Sequence, residues 1–241
     1  MTPDPNLALL ERIAEALGPL RHRMVFLGGC ATGLLITDPA AAPIRATRDV
    51  DVIVETPDRS AYFALEKEMT ERGFRHDQSA GAPTCRWTFG ETLLDVMPID
   101  PSVLGFANRW YPEALRTKRT VRLPRGVEIA LVSPPAFLAT KLEAFLGRGR
   151  GDYATSHDLE DVVSVVDGRG EIVEEVSASS DDLRSYLGIE LDRLLTDERF
   201  LSALPGHLPS DSGSQARVPI LLQRLRAIAG TAPSTRSVSE E

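Results

Sequence analysis

Thr47-Arg48-Asp49-Val50-Asp51-Val52-Ile53-Val54 is the stretch that decides how this chain is read. Val50 to Val54 is apolar and β-branched apart from Asp51, which predicts a buried strand. Asp49 and Asp51 stand two apart at its start, and residues i and i+2 of a strand point to one face. Two carboxylates side by side repel each other unless a cation lies between them. Carboxylate oxygens are hard ligands and suit magnesium. The alternative is a pair of strand-entrance aspartates that cap backbone groups. Three residues of Asp-x-Asp do not decide between the two.

The flanking sequence favours the metal. Upstream, Met24 to Leu27 predicts a short strand entering Gly28-Gly29, and Cys30 to Ile36 is small and apolar, as in a buried helix. Paired glycines let backbone approach a triphosphate closely, and a helix N-terminus favours anions. Downstream, Thr84 to Phe89 and Thr92 to Pro98 read as a hairpin across Gly90-Glu91. Asp95 lies mid-strand in Leu93-Leu94-Asp95-Val96-Met97, where a charge without a partner is costly to bury. A third carboxylate would complete a two-metal site for phosphoryl-type chemistry.

Outside this centre, Leu7 to Leu17 has helical spacing and ends at Gly18-Pro19. Asp58 to Arg72 predicts an exposed helix that opens on an N-cap aspartate and stops at Gly73. Val121 to Leu123 and Val127 to Val132 suggest a second hairpin. From Ser133 the pattern turns helical, with Ala136 to Leu146, Ser156 to Val166, Asp181 to Leu195 and Pro219 to Ala229 as helices. Pro205 to Ser214 reads as a flexible loop. The expected class is therefore α/β (α+β): a small mixed sheet flanked by helices, followed by a helical C-terminal half. The expected units are residues 1–132, residues 133–230, and a disordered tail over 231–241. A cleft between the halves is the natural place for a ligand.

Bulk properties narrow the function. The 241 residues carry a formal net charge of -8, which argues against tight, phosphate-driven nucleic-acid binding. Hydrophobic residues make up 42 %, enough for a sizeable core. Cys30 and Cys85 form no CxxC pair, so no zinc or redox motif is present, and a reducing cytoplasm is the simpler setting. Met1 to Asn6 lacks the basic-then-apolar order of a signal peptide. The most apolar stretch, Ile129 to Leu146, contains Pro134, Pro135, Lys141 and Glu143. A soluble, cytoplasmic protein without a membrane segment is expected.

Three spaced motifs carry a resemblance: Phe26-Leu27-Gly28-Gly29-Cys30-Ala31, Thr47-Arg48-Asp49-Val50-Asp51-Val52, and Leu94-Asp95-Val96. Together they resemble the DNA polymerase β-type nucleotidyltransferase superfamily. Within it, the chain is most similar to the AbiEii/AbiGii-type toxin and related bacterial families, over roughly residues 22 to 166. The resemblance implies that Gly28, Gly29 and the residue after them hold nucleotide phosphates. It implies that Asp49, Asp51 and Asp95 hold two magnesium ions. Cys30 stands where the family usually has Ser; a thiol is a weak donor, so the phosphate grip is either weaker or supplied by the backbone alone.

The helical half extends the likeness. Ala139-Thr140-Lys141-Leu142-Glu143-Ala144, then Arg148 and Arg150, then His157-Asp158-Leu159-Glu160-Asp161-Val162 resemble the lysine helix and acidic run of those toxins. By that resemblance Lys141 touches the triphosphate and Asp158 orients Lys141. Read alone, Lys141 also suits a snorkelling surface residue, and Asp158 to Asp161 an ordinary helix N-terminal turn. Arg48 and Arg45 suit either phosphate binding or a plain loop role. His157 suits a base or a solvated neighbour of the helix start. His22, His76 and His207 lack partners at catalytic spacing, and Trp87 and Trp110 are expected to pack.

The expected reaction is transfer of a nucleoside monophosphate from an NTP to an acceptor hydroxyl, releasing pyrophosphate. In it, Asp95 would also serve as the base that activates the acceptor. Likeness to the toxins implies a tRNA acceptor and a cognate antitoxin protein. An aminoglycoside- or lincosamide-modifying nucleotidyltransferase is the first rival, since a cationic or neutral acceptor suits an acidic cleft. A degenerate member that only binds nucleotide or a protein partner is the second.

Overall fold

The apolar runs form seven strands of one mixed sheet in the computed structural model, which describes residues 4–148 and 151–232. In chain order these are β1 (Met24–Leu27), β2 (Asp49–Val54), β3 (Arg75–His76), β4 (Arg86–Phe89), β5 (Thr92–Pro98), β6 (Arg119–Arg122) and β7 (Glu128–Leu131). Across the sheet the order is β3-β4-β5-β2-β1-β7-β6. β2 lies at the middle, parallel to β5 and antiparallel to β1. Val50, Val52, Ile53 and Val54 are fully buried, as expected for a central strand covered on both faces. Both predicted hairpins form, as β4–β5 and β6–β7.

Parallel strands cannot be joined by a tight turn. The β2-to-β5 connection accordingly passes through helix α3 (Arg59–Glu71) before returning along β3 and β4. Asp58 caps α3 by accepting a hydrogen bond from the Ala61 backbone N–H. Helix α1 (Leu7–Leu17) buries Leu10, Ile13, Ala14 and Leu17, the stripe its spacing predicts, and stops at Gly18 in a positive-φ conformation. The predicted helix after Gly28 is shorter than expected. It is a 3-10 turn over Gly29–Ala31 followed by a single α-turn, α2 (Thr32–Leu35).

Short helices α4 (Pro101–Leu104) and α5 (Tyr111–Arg116) bridge β5 and β6. Past the sheet come α6 (Pro134–Arg148), α7 (His157–Gly168), α8 (Ile172–Ser177), α9 (Asp181–Thr196), α10 (Glu198–Ala203), α11 (Ser212–Gln215) and α12 (Val218–Ala229). The segment expected as a loop, Pro205 to Ser214, starts inside a 3-10 turn over Leu204–His207 and ends in α11. The Gln215 side-chain amide fastens it by donating to the carbonyls of Pro205, Leu208 and Pro209. The mixed α/β class holds, with a larger sheet than expected. Among the described residues, no helix is long and apolar enough to cross a membrane. Arg150 and the predicted tail from residue 233 on lie outside the described residues.

Candidate active site

Sheet register assembles the acidic centre. Asp51 on β2 pairs with Asp95 on β5, and Asp95 pairs with Arg86 on β4. Residues directly opposite each other share a face. Arg86, Asp95 and Asp51 therefore form one row across three strands, and Asp49 joins them from two residues earlier on β2. The three predicted carboxylates are brought to one face.

Arg86 was not foreseen as a site residue, and it organises this row. Its Nε donates to Asp95 Oδ1 at 2.8 Å, and its Nη2 donates to Asp95 Oδ2 at 2.7 Å. The same Nη2 donates to Asp49 Oδ2 at 3.1 Å. Asp95, 7 % exposed, thus has both oxygens engaged by a planar guanidinium. The Arg86 charge makes it a weaker metal ligand and a poorer proton acceptor than a free carboxylate. That weakens the expectation of Asp95 as a base.

Asp51 has no such partner among the described residues. Burial, then the charge of Asp49, pushes its carboxyl up to about 7, with Lys141 pulling the other way. The turn before α2 makes room for it. Gly28 takes φ 75°, and a Cβ there would overlap the Asp51 carboxylate. Only glycine satisfies both constraints. We expect Gly28→Ala to cost roughly 1–3 kcal/mol from backbone strain, more once the Asp51 clash is added. Urea denaturation measures it; a loss below about 0.5 kcal/mol would show that the turn relaxes freely.

The predicted lysine is present and buried, with 8 % exposure, on the inward side of α6. Lys141 Nζ lies 2.6 Å from Asp161 Oδ2 and 3.4 Å from Asp158 Oδ1, both on α7. Burial works against its charge, but Asp161 and Asp158 outweigh that and raise its pKa. It is not a snorkelling surface residue. Arg148 grips Asp158 through two hydrogen bonds of 3.0 Å, and Arg45 grips Asp161 at 3.2 and 3.0 Å. Burial alone would raise the Asp158 carboxyl; the Arg148 hydrogen bonds and the Lys141 charge bring it below its usual value. Arg45 also lies against Gly29, where a Cβ would strike its guanidinium. So Arg45 ties the glycine turn to α7, the role its sequence position left open.

A small cavity of about 90 Å³ joins these parts, lined by Gly28, Asp51, Lys141, Arg148, Asp158 and Tyr111 among others. Enclosing pockets for drug-sized ligands run to roughly 300–1,000 Å³. A nucleotide would therefore sit across the mouth, with only part of it inside. Two expected contributors stand apart. Cys30 is fully buried, and its Sγ faces the Leu27 carbonyl at 3.4 Å. Arg48 is exposed and makes no ion pair among the described residues.

The donor set suits magnesium in its chemistry: three carboxylates on one face, with Asp51 half-buried and outside any ion pair among the described residues. The side chains as placed do not form a ready cage; among the described residues no three His, Cys, Asp or Glu side chains converge to hold a metal ion. Arg86 lies between Asp49 and Asp95 and pairs with both.

No family model and no curated protein matches the chain. Solved structures align with most of the chain at low identity. An antigenic nucleotidyltransferase-like protein from Paracoccidioides brasiliensis is 20 % identical, with a TM-score of 0.48 over 86 % of this chain and 94 % of that one. JHP933 from Helicobacter pylori is 12 % identical, with a TM-score of 0.49 over 93 % of this chain and 90 % of that one. The residues of the site, not these likenesses, carry the functional reading.

Proposed function

We propose that the chain is a magnesium-dependent nucleotidyltransferase of the DNA polymerase β type. It would move a nucleoside monophosphate from an NTP to an acceptor hydroxyl. The observation that carries this is the seating of Asp51. It is a half-buried carboxylate without an ion-pair partner among the described residues, on one sheet face with Asp49 and Asp95, pressed against the Gly28 turn and sharing a cavity with Lys141. Packing gives no reason to keep such a group; a bound cation does.

Asp49, Asp51 and Asp95 are the candidate magnesium ligands. When bound, the ion supplies charge neutralisation at the transferring phosphoryl group. The backbone of Gly28 and Gly29 lines the approach for phosphate oxygens. Lys141, held by Asp158 and Asp161, presents a fixed positive charge to the triphosphate. The thiol of Cys30 takes no part, since it is sealed in the core; any grip there is from backbone N–H groups. A tRNA acceptor and a cognate antitoxin protein complete the proposal, on the strength of the motif resemblance to the AbiEii/AbiGii-type toxins.

A second reading, a member that binds nucleotide or a partner without catalysis, is favoured by the Arg86 hold on Asp95. Incubation with each labelled NTP, magnesium and total tRNA separates the two. Label on tRNA, lost with Asp49→Ala, is the expected result. Thermal stabilisation by an NTP with magnesium, without label on any acceptor including an aminoglycoside panel, would establish the binding-only reading. No stabilisation by any NTP would remove the catalytic reading and the nucleotide-binding one, leaving a protein partner alone.

A further inference from the structure

We infer that Arg86 stands in for one of the two metal ions, so that this site takes a single divalent ion, at Asp49 and Asp51. This rests on the nucleotidyltransferase reading and changes its metal count. Asp95 lies beside Asp51 in the parallel register, where a second ion would need it as a ligand. Each of its two oxygens instead accepts a hydrogen bond from Arg86, from Nε at 2.8 Å and Nη2 at 2.7 Å, and the guanidinium offsets its charge. A guanidinium and a carboxylate of matching fork geometry form the strongest kind of side-chain ion pair. The pair is also fastened from below. β4 and β5 are hydrogen-bonded partners, and Arg86 sits directly opposite Asp95, so the backbone holds both groups in place.

Charge balance points the same way. Six carboxylates stand at or beside the site: Asp49, Asp51, Asp95, Asp158, Asp161 and Glu160, the last sharing Arg45 at 3.8 Å. Four cations answer them: Arg45, Arg86, Lys141 and Arg148. Arg86 covers Asp95 and reaches only one oxygen of Asp49. The other Asp49 oxygen and the whole Asp51 carboxylate stay outside ion pairs among the described residues. Their unmet charge suits one divalent ion bearing the triphosphate, and leaves a second ion only Asp95, whose charge Arg86 already offsets. Asp95 is then a poor base for the acceptor, and Arg86 becomes a positioning residue that keeps Asp95 neutralised.

The test counts Mn2+ ions by electron paramagnetic resonance on the full chain, without nucleotide. The wild type is expected to bind one ion. Arg86→Gln, which removes the charge and frees Asp95, is expected to bind two. Asp49→Ala is expected to bind none. Two ions on the wild type would overturn the inference while leaving the metal-dependent reading in place. One ion on a folded Arg86→Gln protein would also overturn it, since freeing Asp95 would then create no site. No ion on the wild type would remove the metal reading along with it. The wild-type count decides the matter by itself if Arg86→Gln does not fold.

Discussion

Asp51→Asn is expected to leave the chain folded, to make it more stable than the wild type at pH 8 without metal, and to abolish nucleotide transfer. The stability gain follows from linkage. The Asp51 carboxyl is raised to about 7 in the folded chain, against about 3.9 when unfolded. Between those values the unfolded chain has lost its proton and the folded chain has kept it. The folded state then binds more protons, so stability falls as pH rises from about 4 to 7 and levels off above 7. Asp51 is partly reached by water, which screens its charge and leaves a cost of about 2 kcal/mol at pH 8. Asn carries no charge and escapes that cost. Urea denaturation of both proteins at pH 5.5 and pH 8 measures the gap, which should widen with pH. A variant less stable than wild type at pH 8 would mean that Asp51 is satisfied by its protein neighbours. Magnesium should invert the ranking, stabilising the wild type and not the variant. Losing a metal ligand removes several kcal/mol of transition-state stabilisation, on the order of 10³-fold or more in rate.

The strand, glycine turn and third aspartate were legible because each had a local signature. A continuous β-branched run, a Gly-Gly after a short apolar stretch, and a charge inside an apolar strand can be read without knowing what lies across from them. Arg86 was hidden by a different kind of information. Its significance depends on register, and register is a property of two strands. The clue was present all the same: a two-residue turn at Gly90-Glu91 pairs Phe89 with Thr92, and counting outward puts Arg86 opposite Asp95. The cage around Lys141 was less accessible. Asp158 and Asp161 lie one helical turn apart on α7, so their shared face could be read, but not that Arg148 and Arg45 would arrive from a helix end and a distant loop. Cys30 failed for a related reason. Its place in the motif suggested the cleft, whereas the 3-10 turn after Gly28 rotates its side chain into the core.

Lys141→Met should lower stability by about 3 kcal/mol, far more than a surface lysine would. Its ammonium lies 2.6 Å from Asp161 and 3.4 Å from Asp158, carboxylates that are themselves 1 % and 6 % exposed. Removing it leaves two buried anions with one arginine each. The cost of breaking a buried pair runs to about 3–5 kcal/mol, and the arginines hold this case to the lower end. Lys141→Met combined with Asp161→Asn should recover part of the loss, because one orphaned charge goes with the lysine. Failure to recover any would show that Asp161 is held by Arg45 alone, with Lys141 contributing only packing. The same variants separate scaffold from chemistry. If Lys141 serves only the fold, the double variant regains stability and nucleotide affinity together. If it faces the triphosphate, stability returns while the KM for NTP stays raised, since Arg148 is then the cation left in the cavity lining. We expect the second outcome. Lys141 shares the cavity with Gly28 and Asp51, and a cation pinned there by two aspartates cannot retreat when a polyphosphate arrives.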